Sequence, residues 1–145
     1  MNIAELQQTI VDTLRARLPA LATVDFWQEQ MTPETLRTSL AAQRLPGAFV
    51  ALAGYRSDPS RFANFDDCQH TITWVAFVVI PGRKGEAPPL GLLQDITDLV
   101  RVEGFGLQGP ELPTLDRAEY LFGFDGGRDW VSVYAVRWTL KVWLR

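Results

Sequence analysis

The chain has one cysteine, Cys68, one histidine, His70, and two methionines among its 145 residues. A lone thiol excludes an intramolecular disulfide framework and every multi-cysteine metal centre. Long apolar runs are also missing: the longest uninterrupted one covers residues 74–80, far short of the ~18 needed to span a bilayer as a helix. No basic stretch precedes an apolar one at the start, so neither a spanning nor a Sec-exported chain is expected. Charge of one sign is scarce as well, because 14 basic against 17 acidic residues leave a net charge of -3. A free duplex-DNA binder normally carries a basic stripe that displaces counterions from phosphates. What the sequence has in quantity is apolar material, 47% of its residues. A chain of this length buries roughly 70% of its extended surface, so residues 1–145 are expected to form one domain that needs no disulfide or metal to fold.

The order of elements can be read from periodicity and stop signals. Asn2, with Glu5 three residues on, has the form of a helix cap. Ile3, Leu6, Ile10, Val11, Leu14 and Leu18 then share one arc of a helix that Pro19 ends. Residues 24–27 read as a short strand, and Thr32-Pro33-Glu34 starts a second helix expected to run to about Gln43. Residues 48–54 are apolar at almost every position, as in a strand covered on both faces. Residues 55–61 read as an exposed polar loop, 68–80 as a long strand, and 81–89 as the most loop-like segment. Leu92, Leu93, Ile96, Leu99 and Val100 define a third helix, which Gly104 ends. Residues 119–124 and 130–144 read as two strands joined at Asp125-Gly126-Gly127-Arg128. The fold class expected is α+β: a mixed, mainly antiparallel sheet of four to five strands with about three helices.

Little in the sequence points to chemistry. Gly104-Phe105-Gly106-Leu107-Gln108-Gly109 matches the dinucleotide fingerprint, but it follows a helix and runs into prolines, where the motif requires a strand before and a helix after. A helix stop is the simpler reading. Asp66, Cys68 and His70 alternate, so on a strand they would share a face and supply half of a metal site. The remaining ligands would have to be carboxylates from elsewhere, and no metal or other cofactor is expected. His70 is the sole imidazole available to activate a nucleophile, and no G-x-S-x-G elbow is present. The carboxylate pairs Asp125/Asp129 and Asp95/Asp98 fit hairpin chemistry and a solvated helix face. No catalytic residue is therefore assigned. Among the basic residues only Lys84 and Lys141 are lysines, and arginine forks suit interface contacts. The base composition of a source genome would produce the same bias. Arg56, Arg61, Arg83 and Lys84 fall in the two expected loops and are candidate interface residues.

Both faces of the two long strands are apolar over residues 74–80 and 130–136. If three helices cover one face, the other exposes Val75, Phe77, Val79, Val131, Val133 and Ala135, a patch larger than a monomer normally tolerates. These residues are then expected to meet a second subunit, or else the long loops must fold back over them.

The order of these pieces resembles a known family. The amphipathic first helix ending Leu14-Arg15-Ala16-Arg17-Leu18-Pro19, the run Leu45-Pro46-Gly47-Ala48-Phe49-Val50-Ala51-Leu52-Ala53-Gly54-Tyr55, and the long strand broken by a polar Pro/Gly loop are similar to the Mu-like prophage tail terminator, or tail completion, family of contractile-tailed phages. So are the helix over 90–102, the Gly106-Leu107-Gln108-Gly109 stretch after it, and the closing Val133-Tyr134-Ala135-Val136-Arg137-Trp138 strand. The similarity covers nearly the whole chain and contains no catalytic signature. It implies a non-enzymatic virion protein, assembled in the bacterial cytoplasm, that forms a hexameric ring at the head-proximal end of the tail. Such a ring ends tube polymerisation and offers the head-joining surface. The partners implied are further copies of itself, the tail tube, the sheath protein and the head–tail connector, with no membrane and no sequence-specific nucleic acid. The alternatives are a head–tail adaptor or neck protein, and a small enzyme using His70 with Asp66 or Asp67.

Overall fold

A computed structural model describes residues 2–40, 44–57, 68–106, 113–127 and 129–144. Helix α1 (Ile3–Arg17) opens on reciprocal capping. The Asn2 side chain accepts from the Glu5 backbone N–H at 2.8 Å, and the Glu5 carboxylate accepts from the Asn2 backbone N–H at 3.3 Å. Two donors that no helical carbonyl can reach are thereby satisfied. Helix α2 (Pro33–Leu40) starts similarly, with the Thr32 hydroxyl accepting from the Thr35 N–H at 3.2 Å and proline in the first helical position. Helix α3 (Gly91–Asp98) continues as one π-helical turn (Leu99–Glu103) and a 3₁₀ turn (Gly104–Gly106).

The strands are β1 (Thr23–Phe26), β2 (Gly47–Ser57), β3 (Cys68–Gly82), β4 (Thr114–Asp125) and β5 (Trp130–Leu144). They form one sheet in the order β1-β2-β3-β5-β4, with β1 parallel to β2 and all other pairs antiparallel. The protein is thus α+β, with three α-helices and a mixed, mainly antiparallel sheet among the described residues. Several sequence boundaries move, β3 for instance running on to Gly82, into the segment expected as loop. Tyr55 and Arg56 belong to β2, paired with Ile72 and Thr71 beyond a register shift at Ala53, and not to a loop. Strand β4 begins at Thr114, earlier than the apolar pattern suggests, because an edge strand keeps its polar residues in solvent.

The helices divide between the two faces. Leu6, Ile10, Val11 and Leu14 of α1, with Ile96, Leu99, Val100 and Phe105, pack on the face carrying Val50, Ile72, Trp74, Val78, Val136 and Trp138. The opposite face is covered too, which corrects the sequence expectation. Val75 (3% exposed), Phe77 (9%), Val79 (0%), Val131 (2%) and Val133 (0%) are buried within the chain, not left bare for a second subunit. Leu36 of α2 and the Trp27 ring lie over them, with Met31 and Leu45 packed alongside. Trp27 meets Phe49 edge to face, ring centroids 5.5 Å apart. The expectation failed because it stacked all three helices into one layer. One short helix and the connector before it suffice for the second face.

Candidate functional site

His70 and Tyr55 meet at the far end of the β2–β3 ladder. The Tyr55 hydroxyl lies 2.6 Å from His70 Nδ1, and the rings stack with centroids 5.1 Å apart. His70 is 8% exposed, so one ring nitrogen is committed to the phenol and the ring is largely shielded. Cys68 is on the same strand, and Asp66 and Asp67 lie outside the described residues. Among the described residues no three His, Cys, Asp or Glu side chains gather as metal ligands do. The carboxylate pairs follow the structural reading: Asp125 accepts from the Gly127 N–H at 2.9 Å inside the hairpin turn, and Asp98 accepts from Gln94 at 3.0 Å along α3. The glycine-rich match begins with Gly104 and Phe105, both left-handed at φ 57° and 56°, directly after the π turn. Among the described residues no helix starts after this stretch, and Leu107, Gln108 and Gly109 of the motif lie outside them.

The basic candidates separate. Arg56 is exposed on β2, Arg61 lies outside the described residues, and Arg83 and Lys84 form an exposed corner after β3. The Glu86 N–H donates to the Arg83 carbonyl at 3.1 Å, and Gly85 takes φ 84°, the positive value a turn of this kind requires at its third position. Lys84 Nζ stands 5.7 Å from the centre of the Trp130 ring.

The two sheet margins differ in how they meet solvent. On β1 the Arg15 guanidinium donates twice to the Val24 carbonyl, at 2.7 and 3.1 Å, and the Asp25 carboxylate accepts from the Phe26 N–H at 2.8 Å. Side chains thus occupy groups that would otherwise pair with another strand. Strand β4 instead carries two register irregularities and a charged face, where Glu119 lies 3.5 Å from Arg117 and 3.8 Å from Arg137. Bulges and charges are both recognised means of discouraging edge-to-edge pairing. Tyr134 on β5 has its pKa raised above 10.0, first by burial and then by the neighbouring Tyr120, 5.6 Å away between ring centroids.

Where β1 runs into α2, Phe26, Trp27, Gln28, Glu29, Ser39 and Phe49 line a cleft of about 210 Å³. Its lining combines the buried Trp27 and Phe49 with the exposed acidic residue Glu29. Sequence reasoning missed it. The available signal was Phe26-Trp27 followed by Gln28-Glu29-Gln30, an aromatic pair abutting a polar run just before a helix start. Compared with known protein families and with curated proteins, the sequence matches none.

Proposed function

We propose that this chain is a structural protein of the tail-terminator kind, which assembles as a ring on the end of a phage or phage-derived tail tube, stops its growth and presents a surface for head joining. The observation that carries the reading is the likeness in element order and short strings, from the capped first helix through the run over 45–55 to the closing Val133-Tyr134-Ala135-Val136-Arg137-Trp138 strand. The geometry bears on how such a protein would associate. With Val75, Phe77, Val79, Val131 and Val133 buried inside the chain, that apolar patch is not a bare face for contacts between copies. A ring needs a heterologous contact in which one patch meets a different patch on the next copy.

Native mass spectrometry and negative-stain imaging, with and without purified tail tube, test the proposal. Closed rings, alone or on tube ends, support it, and a protein that stays monomeric and ignores tube ends overturns it. Tail length in a deletion mutant separates the adaptor alternative. Loss of a terminator gives overlong or unfinished tails, whereas loss of an adaptor leaves tails of normal length. Replacing His70 with Ala addresses the enzyme alternative, which requires loss of function with the fold retained.

A further inference from the structure

We infer that Tyr120 and Tyr134 form an oxidative modification site, at which a one-electron oxidant of the peroxidase class, acting with hydrogen peroxide, couples the two phenols into a dityrosine that ties the margin strand β4 to β5. The inference goes beyond the ring reading and does not depend on it. The two residues face each other directly across the β4–β5 ladder, their rings meet edge to face with centroids 5.6 Å apart, and Tyr120 is 56% exposed. Side chains directly opposed in this way leave their strands about 5 Å apart at Cβ, so rotation about side-chain bonds is enough to bring the ring carbons beside the two hydroxyls into contact. The exposed Tyr120 ring has room for that rotation: β4 lies at the sheet margin with β5 as its one neighbour, and the register shifts between Tyr120 and Phe122.

Selectivity follows from placement. The chain has three tyrosines. The third, Tyr55, has its hydroxyl 2.6 Å from His70 Nδ1 and stands level with Ile72 of β3, whereas Tyr134 is level with Val78, six positions on and about 20 Å away at about 3.3 Å per residue. A phenoxyl radical at Tyr55 therefore meets no second phenol within its own chain. Trp130 stands beside the coupling pair instead. Its Nε1 and the Tyr120 hydroxyl each come within 2.8 Å of the point that a Cβ on Gly123 would occupy, so an electron lost from the indole is replaced from the adjoining phenol. In the coupling itself each phenol gives up one electron and its hydroxyl proton. The two radicals form one carbon–carbon bond between ring positions next to their oxygens, and the hydrogen on each bonded carbon then moves to the oxygen, restoring both phenols. Two electrons and two protons leave the pair and reduce one peroxide molecule to two waters.

Peptide mapping tests this on the full chain at dilution, treated with a peroxidase and hydrogen peroxide. Trypsin cuts after Arg117, Arg128 and Arg137, which puts Tyr120 and Tyr134 in separate peptides, 118–128 and 129–137. The expected product is those two peptides joined and lighter by two hydrogen atoms, recovered from monomeric chain that has gained dityrosine fluorescence. Tyr120→Phe and Tyr134→Phe keep the rings, so each should retain the wild-type circular dichroism and lose the joined peptide; Tyr55→Phe should still form it. The coupled chain should unfold at higher urea than the untreated one, because the new bond shrinks the unfolded ensemble. A joined peptide that survives Tyr120→Phe, dityrosine found only between chains, or oxidation that consumes Trp130 and leaves both tyrosines intact overturns the inference. None of these results bears on whether the protein forms rings.

Discussion

The ring of Phe105 lies 5.0 Å from that of Trp138, tilted by 35°, and it holds that position with a backbone φ of 56°. No other non-glycine residue with positive φ occurs among the described residues. A left-handed conformation costs a side-chain-bearing residue about 1–2 kcal/mol, while burying a phenylalanine contributes about 1.5–3 kcal/mol. Packing therefore wins by a small margin. The ring, 2% exposed, covers Trp138, which with its cross-strand partner Trp74 forms the centre of the α1 face.

That balance predicts an inverted order of stability at position 105. Phe105→Ala keeps the backbone strain and loses the packing, and should cost about 3–4 kcal/mol. Phe105→Gly loses the same packing but relieves the strain, and should be the more stable of the two by about 1 kcal/mol. Urea denaturation of both variants decides it; alanine more stable than glycine would mean the left-handed turn is absent in solution.

Leu36 is fully buried on α2 and sits in the cluster beneath which Val75, Phe77, Val79, Val131 and Val133 lie. Leu36→Ala should destabilise the protein by about 2–5 kcal/mol. It should also raise binding of a hydrophobic dye well below the unfolding midpoint, since loosening α2 uncovers the second sheet face. Unchanged dye binding would show that α2 is not what shields that face.

Arg15 holds the β1 margin through its two bonds to the Val24 carbonyl. Arg15→Met removes the donors while keeping much of the apolar stem, and should cost about 1 kcal/mol, below the ~1.5–3 kcal/mol of a hydrogen bond to a charged group because half of the side chain is in solvent. Amide exchange at Thr23 and Trp27, whose N–H groups donate to the Pro46 and Val50 carbonyls, should accelerate more than exchange in β3. Equal acceleration everywhere would indicate a global effect and not an uncapped strand edge.

Tyr134 makes stability fall at alkaline pH. Its folded pKa is raised by burial and by Tyr120, so the folded state holds the phenolic proton more tightly than the unfolded chain. The contribution is fully present below pH 10, the unfolded value, and is lost as pH rises through the folded pKa. Tyr134→Phe should flatten the decline in stability above pH 10, measured by denaturant midpoints across that range, and an unchanged slope would remove Tyr134 as its cause.

The candidate cleft was hard to read in the sequence because it joins pieces that periodicity treats separately. Phe26 ends β1, Trp27 follows it in the connector to α2, Ser39 comes from α2 and Phe49 from β2, and each has an ordinary local explanation. The Tyr55–His70 pair was hidden for a related reason. Tyr55 reads as loop by its neighbours, and only the continuation of β2 past Ala53 brings its ring onto His70.

Local rules in the sequence determined the elements themselves. The Asn2–Glu5 capping box, the Thr32-Pro33 start, the glycine turn before β5 and the period-two strands each rest on residues a few positions apart, where steric and hydrogen-bonding preferences act without help from the rest of the chain. Tertiary structure alone decided how the helices were shared between the two faces of the sheet. Apolar patterning states how much surface must be hidden but not by what. The choice of α2 and Trp27 to hide Val75, Phe77, Val79, Val131 and Val133 depends on contacts between segments far apart in sequence.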